Sequence, residues 1–515
     1  MTHTDPPART FTFDTSKVHI EDVIAIAMRR VNVQLSDSSA FRETVTSGAE
    51  FIDQLLEKNG EIYGVTTGYG DSCTVSISAE LSAQLPHRLY TFHGCGLGAM
   101  LTPEQTRAAM VARLTSLCKG WSGVSVGLLE QLTRFLQLDI LPMIPSEGSV
   151  GASGDLTPLS YLAAALCGER EVWRDGNAID AAVALAEAGI TPLKLRPKEG
   201  LAIMNGTAVM TGLACLAWAR AAYVMQLATR ITAMASVALD GNAAHFDATL
   251  FSVKPHVGQQ QIAAWLRSDL GAAVAREGKR LQDRYSIRCA PHVIGVLADA
   301  MPWFKNWIEN ELNSVNDNPV IDAKHGQVLH GGHFYGGHIA FVMDSMKTAI
   351  ANIADLLDRQ MALLVDTRYN HGLPANLSGA TDAEASINHG LKALQISVSA
   401  WAAEALKLTM PASVFSRSTE CHNQDKVSMG TIAARDCLRV LDLTEQVVAA
   451  LLIAVMQGVG LRQTQSDGVS LTPALENMLA SLKEQIGMIS EDRRLDQDLH
   501  KLLAKIRAEA WALYE

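Results

Sequence analysis

The sequence lacks the signals that mark several common classes of protein. Its 8 cysteines are scattered and form no C-x-x-C pair, so we expect neither a disulfide framework nor a metal site. No basic cluster stands out against a net charge of −11, which argues against nucleic acid as a partner. The longest apolar run, Val447 to Met456, is too short to span a bilayer, and the opening stretch MTHTDPPARTFTF has no apolar h-region. We therefore expect a cytoplasmic protein with no membrane partner.

Charged residues are scarce as well. They make up 19% of the chain, below the usual share of about 25%, whereas hydrophobic residues make up 48%. Because charge is depleted where subunits meet, this composition suggests surface that is buried in an oligomer. The 515 residues leave room for about three domains.

Helical periodicity dominates the chain. A short strand-like piece, Thr10 to Phe13, precedes helical spacing from Ile20 to Met28 and from Phe41 to Leu56. Later stretches are long, apolar at mixed spacings of three and four, and nearly free of helix breakers: Gly212 to Leu239, Met343 to Val365, Ala383 to Thr409 and Asp436 to Met456. Helices that are apolar on more than one face are buried. We predict a mainly α fold, with a smaller N-terminal region (1–200) and a bundle of long helices that also serves oligomerisation (201–515).

One glycine- and serine-rich stretch carries distinctive chemistry. Residues Gly148 to Ser160 read GSVGASGDLTPLS, and Ala152, Ser153 and Gly154 can close on themselves. The amide nitrogen of Gly154 would attack the carbonyl carbon of Ala152, and Ser153 would lose its hydroxyl as water. Glycine permits the tight turn that this attack requires. The product is a methylidene-imidazolone ring with an exposed electrophilic carbon; the alternative is an ordinary turn before a helix.

Other stretches join this one in resembling a known family. They are YGVTTGYG from Tyr63, MNGT around Asn205, QDRYSIRCAP from Gln282, NDNP from Asn316, GGHFYG from Gly331 and ECHNQD from Glu420. Together they resemble the aromatic amino acid ammonia-lyase family, which covers histidine, phenylalanine and tyrosine ammonia-lyases and related aminomutases. The resemblance extends from about Val18 to the last helices and is of the bacterial type.

The resemblance implies a lyase that removes a proton from Cβ of an amino acid and expels the amine from Cα. The ring formed from Ala152, Ser153 and Gly154 would capture the amine, a covalent strategy. Tyr63 corresponds to the tyrosine that removes the proton. The ordinary pKa of tyrosine is about 10, so a base role requires surroundings that lower it. No metal or diffusible cofactor is needed.

The resemblance also assigns residues that bind the substrate. Arg288 would grip the carboxylate bidentately, while Tyr285 and Gln282 support the ring and the amine. If this stretch is helical, these three side chains lie three apart on one face. His292 follows this stretch at a position where the family would have Gln, so the residue departs from the family pattern.

Further site residues follow from the remaining stretches. Asn205 would hold the carbonyl oxygen of the ring, an electrostatic stabiliser. Asn318 and Phe334 lie in two other active-site stretches, the second with His333 where the family has Asn. The remaining stretch resembles the phenylalanine and tyrosine lyases more than the histidine lyases, and its candidate residues are Glu420, Asn423 and Gln424.

Phe92 and His93 fall where the family selects its substrate side chain. Phe92 builds an apolar wall that favours a benzenoid ring, and His93 can hydrogen-bond a phenol hydroxyl or an imidazole. We therefore expect L-tyrosine as the substrate, with phenylalanine next and histidine after it. The product would be p-coumarate with ammonia.

Two alternatives remain at this stage. An aminomutase with the same ring would return the amine to Cβ, and an inactive helical scaffold would keep the fold alone. The resemblance further implies a homotetramer whose active sites draw residues from several subunits.

Overall fold

The computed structural model describes residues 9–58, 60–271, 281–381, 385–465 and 469–514. Helices dominate this part of the chain, so the predicted mainly α class is confirmed. The helices are α1 (Ile20–Ala27), α2 (Ser39–Glu57), α3 (Ala79–Ser82), α4 (Leu85–Phe92), α5 (Pro103–Leu117), α6 (Val126–Gln137), α7 (Leu156–Leu166), α8 (Ala181–Glu187), α9 (Glu199–Met204), α10 (Ala208–Ala238), α11 (Ala248–Ser252), α12 (Val257–Leu270), α13 (Tyr285–Arg288), α14 (Ala290–Leu312), α15 (Gly337–Val365), α16 (Lys392–Lys407), α17 (Gly430–Gln463), α18 (Pro473–Ile486) and α19 (Asp496–Arg507).

The strands are short and pair into small sheets. They are β1 (Thr10–Phe13), β2 (Asn32–Leu35), β3 (Leu97–Met100), β4 (Leu141–Pro142), β5 (Pro145–Glu147), β6 (Glu171–Arg174), β7 (Asn177–Asp180), β8 (Val320–Asp322) and β9 (Gln327–Leu329). β1 and β2 are parallel, with Thr10 opposite Asn32, whereas β3–β5, β4–β6–β7 and β8–β9 are antiparallel.

The chain divides into two compact units that alternate along the sequence. The first contains residues 1–219, 305–344 and 411–435, and the second contains residues 220–304, 345–410 and 436–515. Four of the five boundaries fall inside the long helices α10, α14, α15 and α17, and the fifth, between residues 410 and 411, follows α16. The predicted division into an N-terminal region (1–200) and a helical bundle (201–515) stays a prediction.

The first unit has a core in which charged side chains are buried among apolar ones. Thr102 accepts a hydrogen bond from the amide of Gln105 (3.3 Å), whose side chain accepts one from the amide of Thr102 (2.9 Å), so a capping box begins α5. Beyond that cap, α5 is almost entirely buried, including Arg107 and Arg113. A buried cation requires partners inside the protein, and those of Arg113 lie beside the glycine-rich turn.

The second unit is also helical and has a buried ion pair of its own. Arg230 Nε lies 2.7 Å from Asp269, and both side chains are almost completely buried. The hydroxyl of Tyr514 donates to the same carboxylate at 2.5 Å. The long apolar helices that the periodicity predicts are present, except that the stretch predicted from Ala383, a residue outside those described, becomes α-helical only at Lys392, where α16 begins. Helix α10 is long and apolar enough by composition to cross a membrane, but 78% of its most apolar window is buried within the protein.

Candidate active site

The Ala152–Gly154 turn is pressed against the backbone at Asn205 and Gly206. Gly154 has φ +70° and forms a parallel bridge with Gly206, whose amide donates to the carbonyl of Ser153 (3.0 Å). The amide of Asp155 donates back to the carbonyl of Gly206 (2.7 Å). A Cβ on Gly154 would lie 2.0 Å from that carbonyl oxygen. Only glycine allows both the left-handed conformation and this approach.

The other end of the turn is tied to the segment before α17. The amide of Met429 donates to the carbonyl of Val150 (3.0 Å), and the amide of Ser428 donates to that of Gly151 (3.3 Å). The turn is therefore clamped on both sides by segments that are distant in sequence.

Asp155 anchors the start of α7, directly after the turn. Its buried carboxylate accepts hydrogen bonds from Ser149 Oγ (3.1 Å), from the Thr431 hydroxyl and from the amide of Met210 (2.9 Å). Burial raises the pKa of the Asp155 carboxyl, and these donors oppose the rise. The carboxylate thus joins three segments around the turn.

A buried arginine hydrogen-bonds the backbone carbonyl of Asn205. Arg113 Nη1 donates to the carbonyls of Ala202 (2.8 Å) and Asn205 (3.0 Å), and Nη2 donates to Asn316 Oδ1 (2.9 Å). Burial lowers the pKa of the Arg113 guanidinium to about 10. Among the described residues, Asn205 Oδ1 is buried without a hydrogen-bond partner. Oδ1 is an acceptor, whereas holding the carbonyl oxygen of the ring calls for a donor, so that role would fall to the side-chain Nδ2 of Asn205 and stays a prediction.

Tyr63 lies in the loop that the sequence singles out. Its hydroxyl oxygen accepts a hydrogen bond from the amide of Gly70 (2.7 Å). Burial raises the pKa of Tyr63, with smaller contributions in the same direction from Glu420 and Cys73, while the Gly70 amide opposes the rise. The lowered pKa that a base role calls for is therefore not found within this chain. The base role itself stays a prediction.

The segment from Glu420 to Gln424 connects the Tyr63 loop with the turn. The carboxylate of Glu420 accepts from the amide of Asp71 (3.0 and 3.1 Å). At the other end of the segment, Gln424 Nε2 donates to Ser153 Oγ (3.2 Å). Asn423 is exposed, and its amide donates to the carbonyl of Glu420. The structure thus brings the predicted base loop, the predicted electrophile and this segment together.

Phe92 and His93 end helix α4 close to the start of α7. The ring of Phe92 is 58% exposed and its centroid lies 4.3 Å from that of His93. His93 Nδ1 lies 2.9 Å from the carbonyl of Leu89, which is an acceptor, so Nδ1 carries the proton. Burial lowers the pKa of His93, and the imidazole is neutral with Nε2 as an acceptor. The one proton of Ser160 Oγ, on α7, is shared between the carbonyls of Thr157 (2.7 Å) and His93 (3.2 Å).

Asn318 and Phe334 belong to the first unit as well. Asn318 Oδ1 accepts from the amide of Gly331 (2.9 Å), which ties the two predicted stretches together. Phe334 is half-buried, whereas His333, one of the two departures from the family pattern, is exposed.

The predicted carboxylate-binding residues lie in the second unit. Arg288 Nε donates to the carbonyl of Asp283 (2.9 Å), and its guanidinium lies 4.6 Å from the ring centre of Tyr285, which is 72% exposed. Helix α13 begins at Tyr285, so Gln282 precedes it and does not share its face. His292 packs its ring 5.2 Å from that of Phe251, and its Nδ1 is buried without a partner among the described residues.

Three residues around the turn were missed by reasoning from the sequence. They are Arg113, Asp155 and Gly206. A signal existed for the first, because Arg113 directly follows the apolar run from Ala108 to Ala112 in α5, and an arginine buried there requires acceptors. Asp155 and Gly206 lie beside predicted residues, but their contacts depend on segments far along the chain.

One group of possible metal ligands occurs in the described residues. Ligand atoms of His19, Glu21 and Glu309 lie within 4.8 Å of one another. However, Lys17 lies 2.9 Å from Glu309, and Lys305 pairs with Glu21, so ammonium groups already balance both carboxylates. This group does not include any of the predicted site residues.

Fold and site together define a class of enzyme: a mainly helical lyase with a clamped Ala-Ser-Gly turn beside a tyrosine loop. The profile described as aromatic amino acid lyase matches residues 18–484. The chain belongs to this family, and the predicted carbon–nitrogen lyase is confirmed at that level.

Similar proteins differ in the reaction that their names state. The chain is 35% identical to a histidine ammonia-lyase of Natranaerobius thermophilus, over 90% of this chain and 91% of that protein. It is also 35% identical to a tyrosine ammonia-lyase of Cereibacter sphaeroides, over 94% of this chain and 95% of that protein. The crystal structure of a tyrosine aminomutase from Streptomyces globisporus superposes with a TM-score of 0.90 at 32% identity, covering 97% of both chains.

Proposed function

We propose that this protein is an aromatic amino acid ammonia-lyase that converts L-tyrosine to p-coumarate and ammonia. The observation that carries the proposal is the Glu420–Gln424 segment. It hydrogen-bonds the Tyr63 loop at one end and Ser153 at the other, and so joins a candidate base to a candidate electrophile. Neither half alone would support this chemistry.

The electrophile is a methylidene-imidazolone formed from Ala152, Ser153 and Gly154. Closing the ring and eliminating the serine hydroxyl each release one water. Gln424 donates to Ser153 Oγ, the oxygen that leaves, while the bridge to Gly206 holds the Gly154 backbone in a bent conformation. Once formed, the group supplies an electrophilic carbon for the departing amine. The side-chain Nδ2 of Asn205 would donate to the carbonyl oxygen of the ring; Asn205 is buried and directly precedes Gly206, which bridges to Gly154.

Tyr63 takes the proton from Cβ of the substrate. The amide of Gly70 donates to its oxygen and stabilises the phenolate. A positioned base contributes roughly 10²–10⁴-fold to the rate. Arg288 binds the substrate carboxylate, supported by Tyr285 and Gln282, in a homotetramer whose active sites draw on several subunits.

His93 supports the choice of tyrosine. Its neutral ring keeps the proton on Nδ1 for Leu89, so Nε2 is left to accept a hydrogen bond from a substrate donor. A phenol hydroxyl is such a donor, and Phe92 adds an apolar surface beside it. The ring N–H of histidine is also a donor, and a histidine ammonia-lyase is equally similar in sequence, so histidine is the second candidate. An aminomutase reaction on tyrosine is the third, because the same residues serve it.

The test is a substrate panel with chromatographic analysis of products. The enzyme is incubated with tyrosine, phenylalanine and histidine, and we expect p-coumarate as the main product. Accumulation of β-tyrosine would show that the protein is an aminomutase and not a lyase. Formation of an imidazole acrylate as the main product would show that histidine, and not tyrosine, is the substrate. The Ser153→Ala variant is the control: it should keep its fold but lose turnover and the mass deficit of two waters.

A further inference from the structure

Arg170 connects the substrate-recognition end of α4 to helix α7, although it lies outside every predicted active-site stretch. One guanidinium nitrogen donates to the carbonyl of Tyr90, in the last turn of α4. Another, Nη1, donates to Ser160 Oγ (3.0 Å). That hydroxyl shares its one proton between the carbonyls of Thr157 (2.7 Å) and His93 (3.2 Å). Arg170 therefore acts on the backbone on both sides of Phe92.

The surroundings of Arg170 are shaped for its side chain. The guanidinium carbon lies 4.3 Å from the ring centre of Tyr161, a cation–π contact. A Cβ on Gly94 would lie 2.4 Å from Nη2, so the absence of a side chain at residue 94 leaves room for the guanidinium. A cation beside the last carbonyls of a helix is also stabilised by the helix dipole.

The backbone of Arg170 indicates that the side chain is needed. Its φ is +68°, in the left-handed region where glycine or asparagine would be less strained. The backbone is anchored separately, because the amide of Ala181 donates to the carbonyl of Arg170 (2.8 Å). An arginine held in a conformation that does not favour it points to a role for its side chain.

We propose that Arg170 is a positioning residue for substrate recognition: it holds the end of α4 against α7 and so orients His93 toward a substrate ring that carries a hydrogen-bond donor. The inference rests on the proposed function and extends it by naming what fixes the recognition residue. Arg170 does not touch the substrate. It acts through the backbone of Tyr90, through Ser160 and through its charge.

The charge of Arg170 favours the same state of His93 as its hydrogen bonds do: a ring that can accept a hydrogen bond from the substrate. Burial lowers the pKa of His93, the hydrogen bond to Leu89 opposes this, and the positive charge of Arg170 adds a smaller lowering that favours the neutral ring with Nε2 as an acceptor. Glu169, the nearest carboxylate in sequence, accepts from the hydroxyl of Tyr90 (2.8 Å) and pairs with His87 (3.3 Å). The other titratable groups on α4, α7, α9 and the adjoining segments are Arg88, Cys95, Asp155, Tyr161, Cys167, Glu171, Lys198 and Glu199.

The first experiment measures binding, which does not require turnover. In a Ser153→Ala background, calorimetry gives the affinities for p-coumarate, cinnamate and an imidazole acrylate. We expect Arg170→Asn to weaken the two ligands with a ring donor, p-coumarate and the imidazole acrylate, by about 10-fold and to leave cinnamate within about twofold, because cinnamate has no donor for His93. Asparagine tolerates the left-handed backbone, so the variant should keep its melting temperature. Arg170→Gly is the second choice if it does not.

Two matched variants show whether the guanidinium itself matters. Arg170→Lys keeps the charge but reaches only one of the two acceptors, so its affinity should fall between those of the parent and Arg170→Asn. Arg174→Asn removes an arginine from the same hairpin that contacts Ala184 and Glu187, and it should change nothing. Equal weakening of all three ligands by Arg170→Asn would show a purely structural role and overturn the proposal.

The second experiment is the pH profile of kcat/KM in the active background. Loss of the positive charge raises the pKa of His93, and the protonated ring cannot accept a hydrogen bond. With tyrosine, the inflection that reports His93 lies at lower pH than the limb from Tyr63, and it should therefore move to higher pH in Arg170→Asn, while the profile with phenylalanine stays in place. An inflection that does not move would overturn the charge effect. Failure of the proposed function is separate: it would appear as absence of any acrylate product from the parent enzyme.

Discussion

The side-chain amide of Gln424 donates a hydrogen bond of 3.2 Å to Oγ of Ser153, although 271 positions separate the two residues. The hydroxyl of Ser153 must leave if the turn is to become an electrophile. A donor on that oxygen stabilises the negative charge that develops as the carbon–oxygen bond breaks. We therefore expect Gln424 to assist the formation of the prosthetic group, in addition to its proposed role in binding substrate.

Replacing Gln424 should slow formation of the ring. We expect Gln424→Leu to reduce the rate by about 10²-fold, the usual cost of removing one donor from a developing negative charge. Intact-protein mass spectrometry, taken at intervals after synthesis, measures the fraction that has lost two waters. Lys426→Leu, an exposed position in the same segment, should mature at the parent rate. Normal maturation of Gln424→Leu would remove Gln424 from this step.

A methyl group on Gly154 should prevent the turn from forming. Its Cβ would lie 2.0 Å from the carbonyl oxygen of Gly206, and φ is +70°. Gly189→Ala is the matched control, since φ is +63° there but nothing lies within 4 Å. We expect the control to lose about 1 kcal/mol of stability from backbone strain alone and to form the ring. Gly154→Ala should melt at a lower temperature than the control and show no loss of water by mass.

The pH dependence of kcat/KM should depend on the carboxylate of Glu420, which raises the pKa of Tyr63. Burial, Glu420 and Cys73 all raise the pKa of Tyr63, and a base is active only when deprotonated, so activity should increase with pH through that pKa. Glu420→Gln removes a negative charge but keeps an acceptor for the amide of Asp71. The rising limb of kcat/KM should therefore shift to lower pH. Phenylalanine is the better substrate for this measurement because it has no phenol to titrate.

Two outcomes test this assignment of the limb. The Tyr63→Phe variant should lose turnover while retaining the mass deficit, because the ring forms without it. If the limb stays in place in Glu420→Gln, the group that titrates is not Tyr63.

Removing the ring acceptor at residue 93 should change substrate preference. His93→Leu deletes the partner of the phenol hydroxyl and leaves an apolar wall, so phenylalanine should gain relative to tyrosine. We expect the ratio of the two kcat/KM values to change by about 10- to 100-fold, the cost of leaving one polar group unpaired. An unchanged ratio would show that His93 does not contact the substrate ring.

Much of the fold was predictable because its signals are local and periodic. The spacing from Phe41 to Leu56 corresponds to α2, and the strand-like piece from Thr10 to Phe13 corresponds to β1. Helices such as α10 and α17 are long, apolar and almost free of breakers, and such patterns predict buried helices reliably. The extent of α13 was less accessible, because tertiary contacts decide where so short a helix begins.

In the candidate site, too, some features follow from the sequence and others from the tertiary structure. The residue types of Ala152, Ser153 and Gly154 determine that an electrophile can form, since the chemistry depends on a serine hydroxyl and on a glycine without a Cβ. Only the tertiary structure decided three contacts of this site. They are the close approach of Gly206 to the turn, the hydrogen bond from Gln424 and the hydrogen bonds from the buried Arg113. These contacts join residues tens to hundreds of positions apart, and no local pattern or periodicity encodes which distant segments meet. The sequence determined the reactive groups, and packing determined their neighbours.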